Sequence, residues 1–110
     1  FQRGLEFFNT YDLLLCPATI VSPYPVEHRF VEECDGHKFG NYVEWLGIAY
    51  AFTNICAPAL SIPAGFTAED LPVGIQIVGR PNCDGQVLAG GKLLQDILGL
   101  HKLLPMDPRG

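Results

Sequence analysis

Charge is scarce in this chain. Asp, Glu, Lys and Arg make up 17% of its 110 residues, against about 25% in an average soluble domain. The seven basic residues form no stripe, and the net charge is −5. Nucleic acid is therefore not an expected partner, and no basic cluster addresses a membrane surface. The apolar runs fall far short of the roughly 18 residues a membrane span needs. The four cysteines, at 16, 34, 56 and 83, include no C-x-x-C pair, so a structural zinc site is not expected. Serine is rarer still: Ser22 and Ser61 are the only two. Neither sits in G-x-S-x-G, and neither has a lysine three residues on. The glycines fit neither G-x-G-x-x-G nor a phosphate loop.

What the chain does have is apolar mass. The hydrophobic fraction is 48%, which is high for a body with so much surface to cover. At this length it forms one domain at most, and part of its apolar surface is expected to meet another chain or a further portion of the same protein. The opening residues, Phe1 to Glu6, have neither an initiator Met nor a signal-peptide layout. They read as a chain that begins in the middle of something. With no secretory layout, free thiols in a reducing compartment, the cytoplasm, are expected. Cys16 and Cys56 lie in apolar runs and read as small core residues.

The elements follow from pattern. Residues 1–11 read as the end of a helix with Leu5, Phe7 and Phe8 on one face. Tyr11 to Cys16 is a short apolar run stopped by Pro17, the pattern of a strand covered on both faces, as in a parallel sheet. Ala18 to Val26 is a proline-rich loop. Asp35-Gly36 between Phe30–Cys34 and His37–Phe39 signals a hairpin. A helix from Gly40 or Asn41 to Phe52 is expected, with Asn41 as cap and Glu44 at the capping-box position. Pro58 and Pro63 bracket a strand at 59–62, and Pro72 opens another at 73–78. The short link between them predicts antiparallel pairing. The last helix follows Asp84, its plausible cap, with Val87, Leu88, Gly91, Leu94, Leu98 and His101 on a helical period. The Gly90-Gly91 pair inside it costs about 1 kcal/mol per glycine relative to alanine, tolerable if a sheet presses on that face. Residues 103–110 form a tail with two prolines. The class is α/β, and three short strands make a poor independent sheet.

Candidate chemistry is thin. Ser61 alternates with Leu60 and Ile62 and reads as a buried strand serine bonded to backbone. No spacing sets a cysteine beside His28, His37 or His101 as a nucleophile and base would need. Cys34 and His37 stand three apart on a turn, where two metal ligands would still lack partners. Glu32, Glu33 and Asp35 read as a solvated edge.

Three linked motifs nevertheless carry a resemblance. They are Tyr11-Asp12-Leu13-Leu14-Leu15-Cys16-Pro17, Pro58-Ala59-Leu60-Ser61-Ile62-Pro63-Ala64-Gly65 and Leu71-Pro72-Val73-Gly74-Ile75-Gln76. In order and spacing they closely resemble the C-terminal quarter of the amidase signature family. The likeness covers about residues 5 to 100. The segment with Tyr42 and Trp45 is similar to the branch holding nylon-oligomer and other linear or cyclic amide hydrolases.

The resemblance implies an α/β fold in which these strands are the C-terminal flank of a large mixed twisted sheet covered by helices, incomplete by itself. Residues 1–110 would then be the C-terminal segment of one amidase signature domain. The family hydrolyses carboxylic amides with a Ser–cis-Ser–Lys triad and needs no cofactor. No Ser-Ser pair occurs here, and none of Lys38, Lys92 or Lys102 stands in a triad context, so no catalytic residue is carried over. This chain alone is expected to be inactive, and its partner is the N-terminal portion of the same amidase. The complete enzyme could form a homo-oligomer.

By position, Trp45, Ile48 and Phe52 could line the pocket for a small amide substrate, or could equally be core or interface residues. Glutamine-using members carry an acidic residue a turn or two before the proline strand. Leu46 to Tyr50 has none, which argues against a glutamine-dependent tRNA amidotransferase subunit and for an apolar amide. The family's usual glycine two before Pro58 is Cys56 here, a change that either tightens the pocket floor or marks divergence. The alternative to an enzyme portion is a non-catalytic binding or scaffold module built from the amidase C-terminus.

Overall fold

The computed structural model describes residues 1–99 and Lys102. The element order is α1 (Gln2–Phe7), β1 (Leu13–Pro17), β2 (Glu33–Cys34), β3 (His37–Lys38), α2 (Gly47–Tyr50), β4 (Ala59–Phe66), β5 (Pro72–Gly79) and α3 (Asp84–Leu98), with 3-10 turns at Glu44–Leu46 and Thr53–Ile55. The elements expected from pattern are largely kept in kind and corrected in extent. His101, expected on the face of the last helix, and the tail at 103–110 lie outside the described residues. Among the described residues no helix is long and apolar enough to cross a membrane.

β5 is the centre of a three-stranded sheet with the order β1-β5-β4. Both of its neighbours run antiparallel to it, with Leu13 opposite Gly79 and Ala59 opposite Val78. The short link from β4 to β5 produces the expected pairing. β1 departs from expectation. It is not a parallel strand covered on both faces but an antiparallel strand at one edge of this sheet. Leu15 within it is 52% exposed. A continuous apolar run looks the same in either setting, and only the partner strand decides. A register shift between Pro63 and Gly65 lets β4 run on to Phe66, beyond the proline expected to end it.

The core lies where α3 crosses the sheet. Ile77 and Val78 on β5 are 1% and 0% exposed. Val87 and Gly91 are the buried residues of α3. A Cβ on Gly90 would run into Leu13, and one on Gly91 into Leu60, with Ile77 close by. The glycine pair thus lets helix and sheet approach, as the pattern suggested. Asp84 stands inside the first turn rather than capping it with its side chain, where its charge still favours the helix N-terminus.

The Asp35-Gly36 turn closes the small β2–β3 hairpin with both residues at positive φ, 50° and 77°. That is the geometry a two-residue hairpin turn demands. The helix expected over 41–52 is instead three short pieces. The sequence from Glu44 to Ile55 holds Gly47, Thr53, Asn54 and several aromatics, all weaker helix formers than alanine, and nothing propagates a nucleus that costs so much to start. Its cap is nonetheless formed: Asn41 Oδ1 accepts from the N–H of Val43 at 2.9 Å and Glu44 at 3.3 Å. Glu44 in turn accepts from Gly40 N at 2.7 Å.

Candidate functional site

The site grows from the end of β1. Pro17 ends the strand's usefulness as a ladder because its nitrogen has no proton to donate. The chain then leaves the sheet through Ala18 to Pro25 without regular structure. Ala18 stays tied to β5 by a hydrogen bond from its N–H to the Gly74 carbonyl, 3.2 Å. Thr19 closes a local turn by donating to the Val21 carbonyl at 2.8 Å. The result is an open cleft of about 710 Å³. Its walls include Pro17, Ile20, Tyr24, Trp45, Ser61 and Gly74.

Trp45 closes one side. The residue is 8% exposed, and its indole is held edge-on by Tyr24, at a centroid distance of 6.0 Å, and by Tyr42, at 6.3 Å. Phe30 meets Tyr42 in the same way at 6.1 Å. This aromatic set ties the loop after β1 to the turn before α2, so two segments far apart in sequence share one wall. Edge-on pairs of this kind contribute about 0.5–1.5 kcal/mol each beyond area burial.

Of the three residues singled out as pocket-wall candidates, Trp45 lines the cleft, whereas Ile48 and Phe52 are half-buried and are not among the lining residues. Ser61 moves the other way. Expected as a buried strand serine bonded to backbone, it is exposed and lines the cleft. Period-two alternation in β4 puts Leu60 against α3 and Ser61 on the opposite face, and Gly74 beside it leaves room. The alternation was visible in the sequence, but which face met the helix was not.

Cys56 is likewise corrected. It is exposed rather than core and does not line the cleft. Its backbone is left-handed, with φ 54° and ψ 31°, and it ends the turn at Thr53–Ile55. That conformation suits glycine, which accounts for the glycine the resemblance implies at this position. Cys34 and His37 do not converge: Cys34 Sγ donates to the Ile20 carbonyl at 3.8 Å, and His37 packs edge-on against Phe39. Among the described residues no three His, Cys, Asp or Glu side chains gather as metal ligands would.

The arrangement is one flank of an α/β body, a helix-backed antiparallel sheet with an uncharged cleft on its other face. The amidase family model matches residues 2–88, and the chain belongs to the amidase family. It is 34% identical over 103 residues to a glutamyl-tRNA(Gln) amidotransferase subunit of Alkaliphilus metalliredigens, covering 91% of this chain and 19% of that protein. It is 34% identical over 83 residues to an acylamidase of Rhodococcus erythropolis, covering 74% of this chain and 17% of that protein. The crystal structure of the corresponding glutamyl-tRNA(Gln) amidotransferase subunit from Thermotoga maritima superposes with a TM-score of 0.55 at 25% identity, over 78% of this chain and 17% of that one. The fold is thus part of the amidase signature fold. The chain spans about a fifth of the length of these relatives.

Proposed function

We propose that these residues are the C-terminal flank of an amidohydrolase that cleaves a carboxylic amide. A Ser–cis-Ser–Lys triad supplied by residues outside these 110 would perform the chemistry: one serine attacks the carbonyl, the second relays its proton to the leaving amine, and backbone N–H groups hold the oxyanion. This segment contributes sheet and a wall of the substrate pocket. The same reading has the substrate linear or cyclic and the enzyme cytoplasmic, where its thiols stay reduced.

The observation that supports it is the cleft formed by the loop after β1, Trp45 and Ser61, built on the same three strands that carry the amidase motifs. A flank with a shaped, uncharged hollow suits a pocket wall better than a scaffold. The test is turnover. The complete polypeptide carrying this segment is expected to release ammonia or amine from carboxamides and to lose that activity when the triad nucleophile is replaced by alanine. The 110-residue chain alone should show none. Turnover by the short chain alone, free of other amidases, would overturn the division of labour. Silence of the complete polypeptide across a broad amide panel would overturn the activity.

A further inference from the structure

The main sheet has an open edge at β1, and one hydrogen bond fixes which way that edge points its polar groups. Ala18 donates its N–H to the Gly74 carbonyl at 3.2 Å, so the backbone of Ala18 is directed at β5. Along an antiparallel strand these groups alternate in direction from residue to residue. Cys16 and Leu14 therefore bond to β5 as Ala18 does. Leu13, Leu15 and Pro17 turn theirs the other way, off the edge, where no strand lies among the described residues. Pro17 has no N–H to offer, but Leu13 and Leu15 each present a donor and an acceptor. An apolar edge without charge is a template for further pairing.

The side chains beside this edge are uncovered too. Leu13 meets α3, since a Cβ on Gly90 would run into it. Leu15, two residues on, is on the same face of the sheet yet 52% exposed. α3 runs in the same direction as β1: Val87 lies against Gly79 and Gly91 against Ile77, the residues opposite Leu13 and Leu15. The flank of α3 that overhangs β1 holds Gly90 and Gln86, whose amide donates to Asp12 at 3.5 Å. Leu93 and Ile97 continue that flank at helical spacing. They advance about 4.5 and 10.5 Å beyond Gly90, while Leu15 stands about 7 Å beyond Leu13. Leu15 is thus level with the interval between Leu93 and Ile97, which are 64% and 71% exposed. The three form one apolar ledge along the edge of β1.

We propose that a β-strand from outside these 110 residues, belonging to the same amidase domain, pairs with Leu13 and Leu15 at this edge, and that a helix carried with it packs on Leu15, Leu93 and Ile97 beside α3. This rests on the reading of the chain as the flank of a larger amidase. Length and shape both argue for that occupant. The chain spans about a fifth of the length of the relatives it matches, so most of such a domain is left to supply strands and helices. Outward N–H and C=O groups fit a strand, and an apolar ledge at the level of α3 fits a second helix, the two layers of an α/β body. The ladder stops at Pro17, where the lining of the cleft begins. The joined strand and β1 therefore part at the rim of the cleft.

The test is amide hydrogen exchange in the complete polypeptide carrying this segment, read at single residues by fragmentation mass spectrometry. Leu14 and Cys16 are the internal standard, because their amides bond to β5. With a strand in place, Leu13 and Leu15 should exchange as slowly as those two, and dilution to a monomeric particle should leave all four rates unchanged. Ile97→Asp sets a charge on the ledge and should lower the urea unfolding midpoint.

Leu13 and Leu15 exchanging at least about tenfold faster than Leu14 and Cys16 overturns the proposal, since that alternation marks a bare edge. Protection of Leu13 and Leu15 that is lost on dilution, while Leu14 and Cys16 keep theirs, assigns the edge to a second copy and overturns it too. So does an unchanged midpoint in Ile97→Asp. If that variant fails to fold, the exchange rates of the unsubstituted protein still decide. Amide turnover is measured on the same sample. Turnover with a bare edge overturns this inference and leaves the hydrolase reading standing. A protected edge without turnover upholds the pairing and overturns the hydrolase.

Discussion

Replacing Gly91 by alanine tests whether the glycine pair of α3 exists for close packing. In an exposed helix the exchange would stabilise by about 1 kcal/mol, because alanine has less backbone freedom to lose. Here the new methyl would fall within the van der Waals envelope of Leu60 Cδ2, with Leu60 Cγ at 3.7 Å and Ile77 Cδ1 at 3.8 Å. Overpacking a filled interior costs about 1–3 kcal/mol, so the balance is a net loss of about 0–2 kcal/mol. Gly85 is the internal control, since a Cβ there meets nothing within 4 Å. Gly85→Ala should therefore be neutral to stabilising, by up to about 1 kcal/mol.

A double-mutant cycle isolates the contact. Leu60→Ala removes the atoms in the way, so the cost of Gly91→Ala should shrink or change sign in that background. Urea unfolding of the complete polypeptide provides the midpoints. If Gly91→Ala stabilises as much as Gly85→Ala, or if its effect is the same with and without Leu60, the helix does not press on the sheet as described.

Other substitutions probe the loops that shape the site. Cys56→Gly should raise stability by about 1 kcal/mol, since glycine adopts the left-handed backbone of this exposed residue without the strain a Cβ brings; a lower unfolding midpoint would refute that. Gly36→Ala should cost about 1–2 kcal/mol at the hairpin turn for the same reason in reverse, read by loss of amide-exchange protection at Phe39. Asn41→Ala should lose about 0.5–2 kcal/mol by freeing the Val43 and Glu44 amides and should loosen Trp45, visible as a red shift in its emission. Lys92→Ala breaks an exposed pair with Asp96 on α3 and should move the midpoint by less than about 0.5 kcal/mol, a baseline for the rest.

Much of the fold was legible because it rests on local rules. Asp35-Gly36 is a turn wherever it stands between β-compatible arms. A link as short as 67–71 returns β4 against β5 antiparallel, since it is too short for a crossover. Asn41 and Glu44 cap the chain whether or not a long helix follows. The three proline-marked strand motifs carried the family. The limits of local pattern show at particular residues. Leu13 to Cys16 is apolar throughout, and that cannot say whether the neighbouring strand is parallel. Glu44 to Phe52 has the spacing of a helix, but its weak formers left the outcome to surroundings the pattern does not contain. Trp45, Ile48 and Phe52 were equal candidates by their position in the family resemblance, and the break in that helix brought Trp45 to the cleft without the other two.

The sequence alone determined where the three strands of the main sheet lie, the hairpin, the position of α3 and membership of the amidase family, because turn chemistry, alternation and short motifs act over a few residues. Tertiary structure alone decided that Ser61 faces the cleft, that Cys56 is exposed in a left-handed turn, and that the Trp45 indole is buried without an acceptor. Each depends on which surfaces meet across distant segments: α3 on one face of the sheet, and the loop after β1 closing over Trp45 on the other. Burial and hydrogen-bond partnership belong to the packed body, and no window of neighbouring residues contains them.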